Sequence, residues 1–354
     1  MSTDYEALKK FVHDRMVLPD LPINHLDTTR DAIASIIRRF TDLGWRIVKV
    51  EDEKSRHRRH ELTSPDGRIA LSMIGGKVYR HPGATEQICR RKHLTKKMLD
   101  IALLPTPIGA DFTANEKAIA AAFFEKMPKP VVVKPTDSGS SHGVTVGVTD
   151  QAGLSSAWQY ALDEGRGRSN VLIEQFVRGV ELRAFVVGPR VVSVFARIQP
   201  FVVGSGRHSL ERLIEKLHEA RSVHYRANKM PVVVDWEFLE RSGYVASSVP
   251  NDGDIVFLNP FNFPSMGSFL VDVTKDVSAE IRNLAFRAKE SIPFLEIAGV
   301  DLLVEDLDDV NTASILEVNT AASLDLHRYP THGEPRAVDQ DIVEYFHQVF
   351  LDTK

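Results

Sequence analysis

The chain has 354 residues, 43% apolar and 26% charged, with a formal net charge of −4. That is enough apolar material for a two-lobed molecule or for two to three compact subdomains, and the slightly acidic balance excludes a chain built to bind nucleic acid through its overall charge. A single cysteine, Cys89, excludes an intrachain disulfide and a zinc site of clustered thiolates.

The start, MSTDYEALKKF, has no apolar signal core. No apolar run approaches the roughly 20 residues of a membrane span. These features and the cysteine usage lead us to expect a cytoplasmic protein in a reducing compartment, with no membrane partner.

In chain order, Ile33, Ile36, Ile37 and Phe40 recur at helical spacing and predict a helix over 29–44, ended by Gly44. Trp45–Val50 reads as a strand, and Ile69–Ile74 and Lys77–Tyr79 as strands around a Gly75-Gly76 turn. The basic run Arg56-His57-Arg58-Arg59-His60 between them reads as a solvated face, with an acidic contact as the rival reading. Helices are expected over 91–103 and 114–126, separated by the extended Pro105-Thr106-Pro107. Val131–Val133 then runs as a strand into Lys134-Pro135, a polar loop covers 136–143, and Val144–Val148 returns as a strand. This order is neither the strand, GxxxxGK[ST] and helix of a P-loop nor a GxGxxG opening a helix.

Further on, a helix is expected over 152–164, strands over 171–176, 181–187 and 191–198, a helix over 209–221 and a strand at Val232–Val234. A loop-rich stretch covers 241–268, followed by a helix over 277–290, strands over 300–304 and 314–318, and a last helix over 339–350. Such alternation predicts an α+β (mixed α/β) architecture of enzyme type.

Four groups of residues could carry chemistry. Lys134 precedes the loop Thr136-Asp137-Ser138-Gly139-Ser140-Ser141-His142-Gly143. Small residues there let backbone N–H groups approach an anion, and a lysine at a strand end can reach a phosphate. An exposed hairpin with a surface lysine fits the same letters. Glu317 and Asn319 lie two apart on one strand and therefore on one face, and pairing with the strand bearing Asp301 would bring three oxygen donors together. Hard donors of this kind suit Mg²⁺ shared with phosphates, unless each acid simply faces solvent at a strand edge. The strand Leu172–Val177 with Gly179 and Glu181 could offer backbone to an adenine edge and a carboxylate to ribose hydroxyls. Many buried strands look alike. Arg183, Arg197 and Arg287 could fork onto carboxylate or phosphoryl oxygens, or be ordinary surface pairs. His327 is either structural or part of a substrate pocket.

In order along the chain, these features resemble the ATP-grasp superfamily, in particular the ATP-grasp modules of cyanophycin synthetase and the bifunctional glutathione synthetases. The resemblance spans roughly 88–335. It rests on Lys92-His93-Leu94-Thr95-Lys96, Val133-Lys134-Pro135 with its loop, Val202-Val203-Gly204-Ser205-Gly206-Arg207-His208-Ser209-Leu210, Ala298-Gly299-Val300-Asp301 and Leu316-Glu317-Val318-Asn319.

The resemblance implies an ATP-grasp fold divided into an N-terminal domain (1–88), a central lid subdomain (89–178) and a C-terminal catalytic subdomain (179–354). It implies that Lys92 and Lys134 hold ATP phosphates, and that Ser138, Gly139, Ser140, Ser141, His142 and Gly143 close over them. Glu174, Gln175, Phe176, Val177, Leu303 and Leu316 would meet the base, and Glu181 the ribose. Asp301, Glu317 and Asn319 would hold two Mg²⁺ ions, with Mn²⁺ able to substitute. Arg183 and Arg287, with Ser140 and Ser141, would act on the transferring group, and Arg197 and His327 would touch substrate.

The implied reaction joins a small amino acid or small carboxylate to an amine through an acyl phosphate, releasing ADP and phosphate. The product would be a dipeptide or γ-glutamyl amide, made by a homodimer. Rival readings are a peptide- or carrier-bound acceptor, ring closure, a small-molecule kinase, and a non-catalytic nucleotide-binding regulator. The sequence departs from the named relatives in its serine-rich loop 137–143 and in its short N-terminal unit, and polymerisation is not expected.

Overall fold

The computed structural model describes residues 5–16, 22–51, 58–138, 142–165, 169–320 and 322–353. The N-terminal part comprises α1 (Glu6–Arg15), α2 (Ala32–Asp42) and the strands β1 (Arg46–Val50), β2 (Arg59–Thr63), β3 (Ala70–Ile74) and β4 (Lys77–Tyr79). The four strands form an antiparallel meander in chain order. Asp31 caps α2 by accepting a hydrogen bond from the Ile33 amide, which satisfies one of the helix's orphan donors. Strand β2 was not expected. It falls on the basic run, where Arg58 pairs with Asp31 at 3.2 Å and Arg59 with Glu61 at 2.8 Å, while His60 and Leu62 turn inward.

Helices α3 (Gly83–Arg90) and α4 (Lys92–Ile101) lead into a second antiparallel sheet. Its strands are β5 (Gly109–Phe112), β6 (Val131–Pro135), β7 (Thr145–Val148) and β8 (Val171–Gln175), in the order β5-β8-β6-β7. Helices α5 (Lys117–Lys126) and α6 (Gln151–Glu164) cover one face, burying Phe124, Leu154 and Trp158 against Val131, Val133 and Ile173.

The largest sheet is built from β9 (Val180–Val187), β10 (Arg190–Ile198), β13 (Phe269–Asp272), β14 (Ile297–Val304) and β15 (Ser314–Asn319), ordered β13-β10-β9-β14-β15 with antiparallel neighbours. Between β10 and β13 lie the ribbon of β11 (Phe201–Val203) and β12 (Ile255–Phe257) and the helices α7 (Leu210–Arg221), α8 (Tyr225–Lys229) and α9 (Trp236–Arg241). Helix α10 (Ala279–Glu290) precedes β14, and α11 (Leu324–Arg328) and α12 (Val338–Asp352) close the chain.

Val232–Val234, expected as a strand, is irregular. The Val233 amide goes instead to Met266 O at 3.3 Å, and that of Asp235, just past the segment, to Leu258 O at 2.9 Å. Among the described residues no helix is long and apolar enough to cross a membrane.

Alternation along the strands gives the five-stranded sheet two unlike faces. On one, Leu182, Ala184, Val186, Val300 and Leu302 pack against Ile281, Leu284 and Ala288 of α10. The other is apolar at one end only. There Phe185, Val187 and Ile297 meet α12 and the N-terminal sheet through Ile342, Phe346, Leu62 and Met73. The other end of that face carries the charged residues.

Candidate functional site

Strand register sets the site out in rows. Arg183 on β9 stands opposite Asp301 on β14, which stands opposite Glu317 on β15. The adjacent row holds Arg197, Glu181 and Leu303, and Asn319 stands opposite Gly299 on the other side. A bulge at Leu316 keeps Glu317 and Asn319 on the face of Asp301. Gly299 matters here, because a Cβ would lie 2.9 Å from the Ala322 Cβ and 3.2 Å from Cδ of Arg183, whose side chain passes over it.

Arg183 forks onto Asp301, with Nη2 to Oδ2 at 2.7 Å and Nε to Oδ1. Such a bidentate charge-assisted pair fixes the orientation of both groups. Arg197 Nη2 donates to Glu181 and approaches Asp301 Oδ1 at 3.4 Å, and Asn262 donates to the second oxygen of Glu181. Asn319 Nδ2 donates to Glu317 Oε1 at 2.9 Å and lies 3.4 Å from Asp301 Oδ2.

The two facing carboxyls are driven apart in acidity. Burial pushes Asp301 upward, and Arg183 and Arg197 offset this only in part. Burial works on Glu317 in the same direction, but a hydrogen bond with Asp301, the charges of Lys92 and Arg183 and the Asn319 amide together hold it well below the usual carboxylate range.

Two lysines belong to the neighbouring part of the fold, Lys134 on the second sheet and Lys92 on α4. Lys134 at the end of β6 is buried and pairs with Glu174 of β8. Lys92 opens α4, donates through Nζ to Ser138 O at 2.6 Å and lies 3.9 Å from Glu317 Oε2, so one side chain links the loop, α4 and the five-stranded sheet. Burial lowers its pKa, and Glu317 opposes that shift.

Ser138 Oγ donates to His142 O at 2.7 Å and closes the base of the loop. Gly143 has φ +75 and sits where a Cβ would come within 2.9 Å of Pro135 and of Glu164, a position only glycine takes without strain. His142 lies 3.4 Å from Glu164. Gly139, Ser140 and Ser141 lie outside the described residues.

Gln175, Phe176 and Val177 are half-buried and connect the two sheets; the Gln175 amide donates to Ile108 O at 2.8 Å. Leu303 and Leu316 are half-buried beside Glu181 and Glu317.

Two expected residues stand elsewhere. Arg287 is exposed on α10, which packs its Leu284 and Ala288 side onto the opposite face of the sheet; it is not part of the constellation. His327 is 2% exposed, wedged between the rings of Phe185 and Phe195 at 5.1 and 4.6 Å, with Nδ1 2.7 Å from Ser193 Oγ. Burial, helped by the Arg183 charge, takes its pKa well below the usual histidine value, so it is a neutral ring behind the charged row. Conversely, sequence reasoning missed Asn262. Its only signal was its place in the loop-rich stretch 241–268.

Among the described residues no three His, Cys, Asp or Glu side chains gather as a metal centre of their own. Two carboxylates and an amide oxygen fit a hard divalent cation that takes its remaining ligands from phosphates and water.

Residues 99–203 match the family model described as D-ala D-ala ligase C-terminus. The glutathione biosynthesis bifunctional protein GshAB of Streptococcus agalactiae is 28% identical over 264 residues, which is 71% of this chain and 34% of that protein. Cyanophycin synthetase of Trichormus variabilis is 29% identical over 259 residues, 70% of this chain and 28% of that protein. The chain thus spans about a third of the length of these curated relatives. The solved bifunctional glutathione synthetase of Pasteurella multocida shares the fold at a TM-score of 0.61 and 21% identity, covering 90% of this chain and 44% of that one.

Proposed function

Since this chain belongs to the ATP-grasp superfamily, related to cyanophycin synthetase and the GshAB proteins, we propose that it is an ATP-dependent carboxylate–amine ligase. The observation that carries this reading is the row Arg183–Asp301–Glu317 with Lys92 of α4 3.9 Å from Glu317, and Lys134, paired with Glu174, near enough to Lys92 to act on its charge. A carboxylate is a poor acyl donor because its leaving group would be oxide. Transfer of the γ-phosphoryl group of ATP to its oxygen, with ADP leaving, makes an acyl phosphate. An amine then attacks the carbonyl, phosphate departs, and the amine loses a proton.

Each group has a part in this scheme. Lys92 and Lys134 sit at the base of the 138–143 loop and at a strand end, and hold phosphate oxygens as point charges. Arg183, anchored by Asp301, presents its guanidinium beside the transferring group, where charge stabilisation is the main catalytic resource. Asp301, Glu317 and Asn319 would hold Mg²⁺, which when bound offsets phosphate charge and orients the transfer. The acids and cations of the site balance one another, which suits a nucleotide that arrives with its phosphates already neutralised. Gln175–Val177, Leu303 and Leu316 line the base and Glu181 meets the ribose. Residues 89–178 act as a lid that keeps water from the acyl phosphate. Arg197 and Asn262, both on Glu181, lie on the substrate side. The substrates in this reading are a small amino acid or small acid and an amine, and the product is of dipeptide or γ-glutamyl type.

The test is mass spectrometry after incubation with Mg²⁺-ATP and a pool of amino acids and small acids, with ADP and phosphate monitored in parallel. A product mass equal to two pool members minus water, formed with ADP, is the expected result. A phosphorylated pool member would replace the ligase by a kinase, and nucleotide binding without any turnover would favour a regulator.

A further inference from the structure

A second constellation lies away from the nucleotide residues, on the seam between α2 and the segment joining α11 to α12. A groove of about 450 Å³ opens there, within the range of small-molecule sites. Its lining contains five arginines and two aspartates, in a chain whose overall charge is negative. None of the residues assigned above to nucleotide, metal or substrate lines it.

Helix periodicity builds one wall. Asp31, Ala34, Ser35, Arg38 and Arg39 recur at helical spacing as a polar stripe beside the apolar stripe Ile33, Ile36, Ile37 and Phe40. The opposite wall is fixed to it by Tyr329, whose hydroxyl accepts from the Arg30 amide at 2.8 Å and donates to the Arg30 carbonyl at 3.2 Å, and by Arg328 Nη1 on the same carbonyl at 3.1 Å. The walls are therefore held in place with the groove open.

The charges are incompletely paired. Asp339 accepts from Ser35 at 2.5 Å and serves two arginines at longer range, Arg328 at 3.4 Å and Arg39 at 3.7 Å. Asp31 is turned to Arg58, outside the groove. Among the described residues the Arg30 and Arg38 side chains have no hydrogen bond or ion pair. The Nε of Arg39 is buried and lies 3.7 Å from Asp339 Oδ2, an ion pair too long for a hydrogen bond, so among the described residues its N–H has no hydrogen-bond acceptor. A buried donor left unpaired is costly and is normally satisfied by a ligand or water. Arg336 is already forked onto Asp272, which leaves the guanidiniums of Arg30, Arg38 and Arg39 to match planar oxyanions.

We propose that this groove binds a small molecule, or the acidic end of one, that carries two or more negative charges on carboxylate or phosphate groups. Arg30 and Arg38 supply the charge that ligand neutralises, and Arg39 Nε donates to it.

Calorimetric titration of the full chain with citrate, in Mg²⁺-free buffer of low ionic strength, tests the site. The expected result is a saturable one-site isotherm for the wild type and for Lys134→Met, and at least tenfold weaker binding in the Arg30→Ser/Arg38→Ser double variant. Those two side chains are exposed and unpaired, so the double variant retains the fold. Unsaturable binding, or equal affinity in the double variant, overturns the proposal. Loss of binding in Lys134→Met also overturns it, because citrate would then be in the nucleotide site. A parallel turnover assay at fixed free Mg²⁺ separates the sources: citrate competing with the acid substrate places the substrate's own second charge in the groove, whereas an effect without competition that the double variant lacks identifies a separate effector. Ligase turnover that persists whatever citrate does keeps this result independent of the ligase reading.

Discussion

The two ends of one sheet face carry opposite chemistry on the same strands. At one end Phe185 and Val187 of β9 and Ile297 of β14 are sealed by α12. At the other end, two residues from Phe185 on β9 and four from Ile297 on β14, Arg183 and Asp301 stand in a network of charge. The first end contributes stability through apolar burial. The second is held by charges that must compensate one another out of bulk water, an arrangement that contributes little to net stability and makes the loss of one partner expensive. His327 marks the border, with one nitrogen against Ser193 and its ring between Phe185 and Phe195.

The comparison can be broken by substitutions at each end. The largest effect is expected on activity from Glu317→Gln, which keeps the shape and removes the charge proposed to hold Mg²⁺. Turnover should fall roughly 100-fold or more, judging from what even supporting residues of metal sites contribute, with the thermal midpoint within a few degrees of wild type. Unchanged steady-state turnover across a Mg²⁺ titration would remove Glu317 from the site.

At the apolar end, Phe346→Ala should cost about 3–5 kcal/mol. A smaller loss in urea unfolding would mean that α12 relaxes into the space. Arg183→Met should be destabilising by about 3–5 kcal/mol, because it strands Asp301 in the interior. The double variant Arg183→Met/Asp301→Leu should recover most of that stability but no activity. Failure to recover would show that Asp301 is held by more than its arginines.

A smaller effect concerns pH. The folded-state pKa of His327 lies well below its unfolded value of 6.5, so the unfolded chain takes up the proton first. Its contribution is intact above pH 6.5 and is lost as pH falls below it, by up to about 1.4 kcal/mol per pH unit. Urea midpoints at pH 7.5, 6.5 and 5.5 should fall more steeply for wild type than for His327→Gln. Parallel slopes would show a ring that titrates freely. His60, His224 and His332 are lowered by burial too, so some slope should remain in the variant.

The smallest effect is expected at Arg221. It is 2% exposed, its Nε and Nη1 have no acceptor, and burial pulls its pKa down to about 10. Among the described residues no carboxylate pairs with it, and removing an uncompensated buried charge is close to neutral or stabilising, so Arg221→Met should shift stability by no more than about 1 kcal/mol. A loss of several would reveal a counter-charge at that position.

Much of this was legible in advance where a segment's own pattern decides its structure. The apolar period of α2, the glycine turn between β3 and β4 and the β9–β10 hairpin across Gly188 all appear as the letters suggest. The spacing of Glu317 and Asn319 placed them on one face before any fold was known. Strand β2 was hidden because a strand with one wet face reads as a polar run, and its pairing partners alone reveal it. Val232–Val234 misled in the other direction, because β-branched residues favour a strand only where a neighbouring strand accepts their amides.

The sequence by itself determined the type of the elements with a clear apolar period, such as α2 and the β9–β10 hairpin, and the facing of Glu317 and Asn319, since these follow from periodicity. Tertiary structure alone decided which arginines belong together. A guanidinium reads the same on either side of a sheet, and whether it meets Asp301, as Arg183 does, or faces solvent behind α10, as Arg287 does, depends on strand register and helix packing between residues more than 100 positions apart.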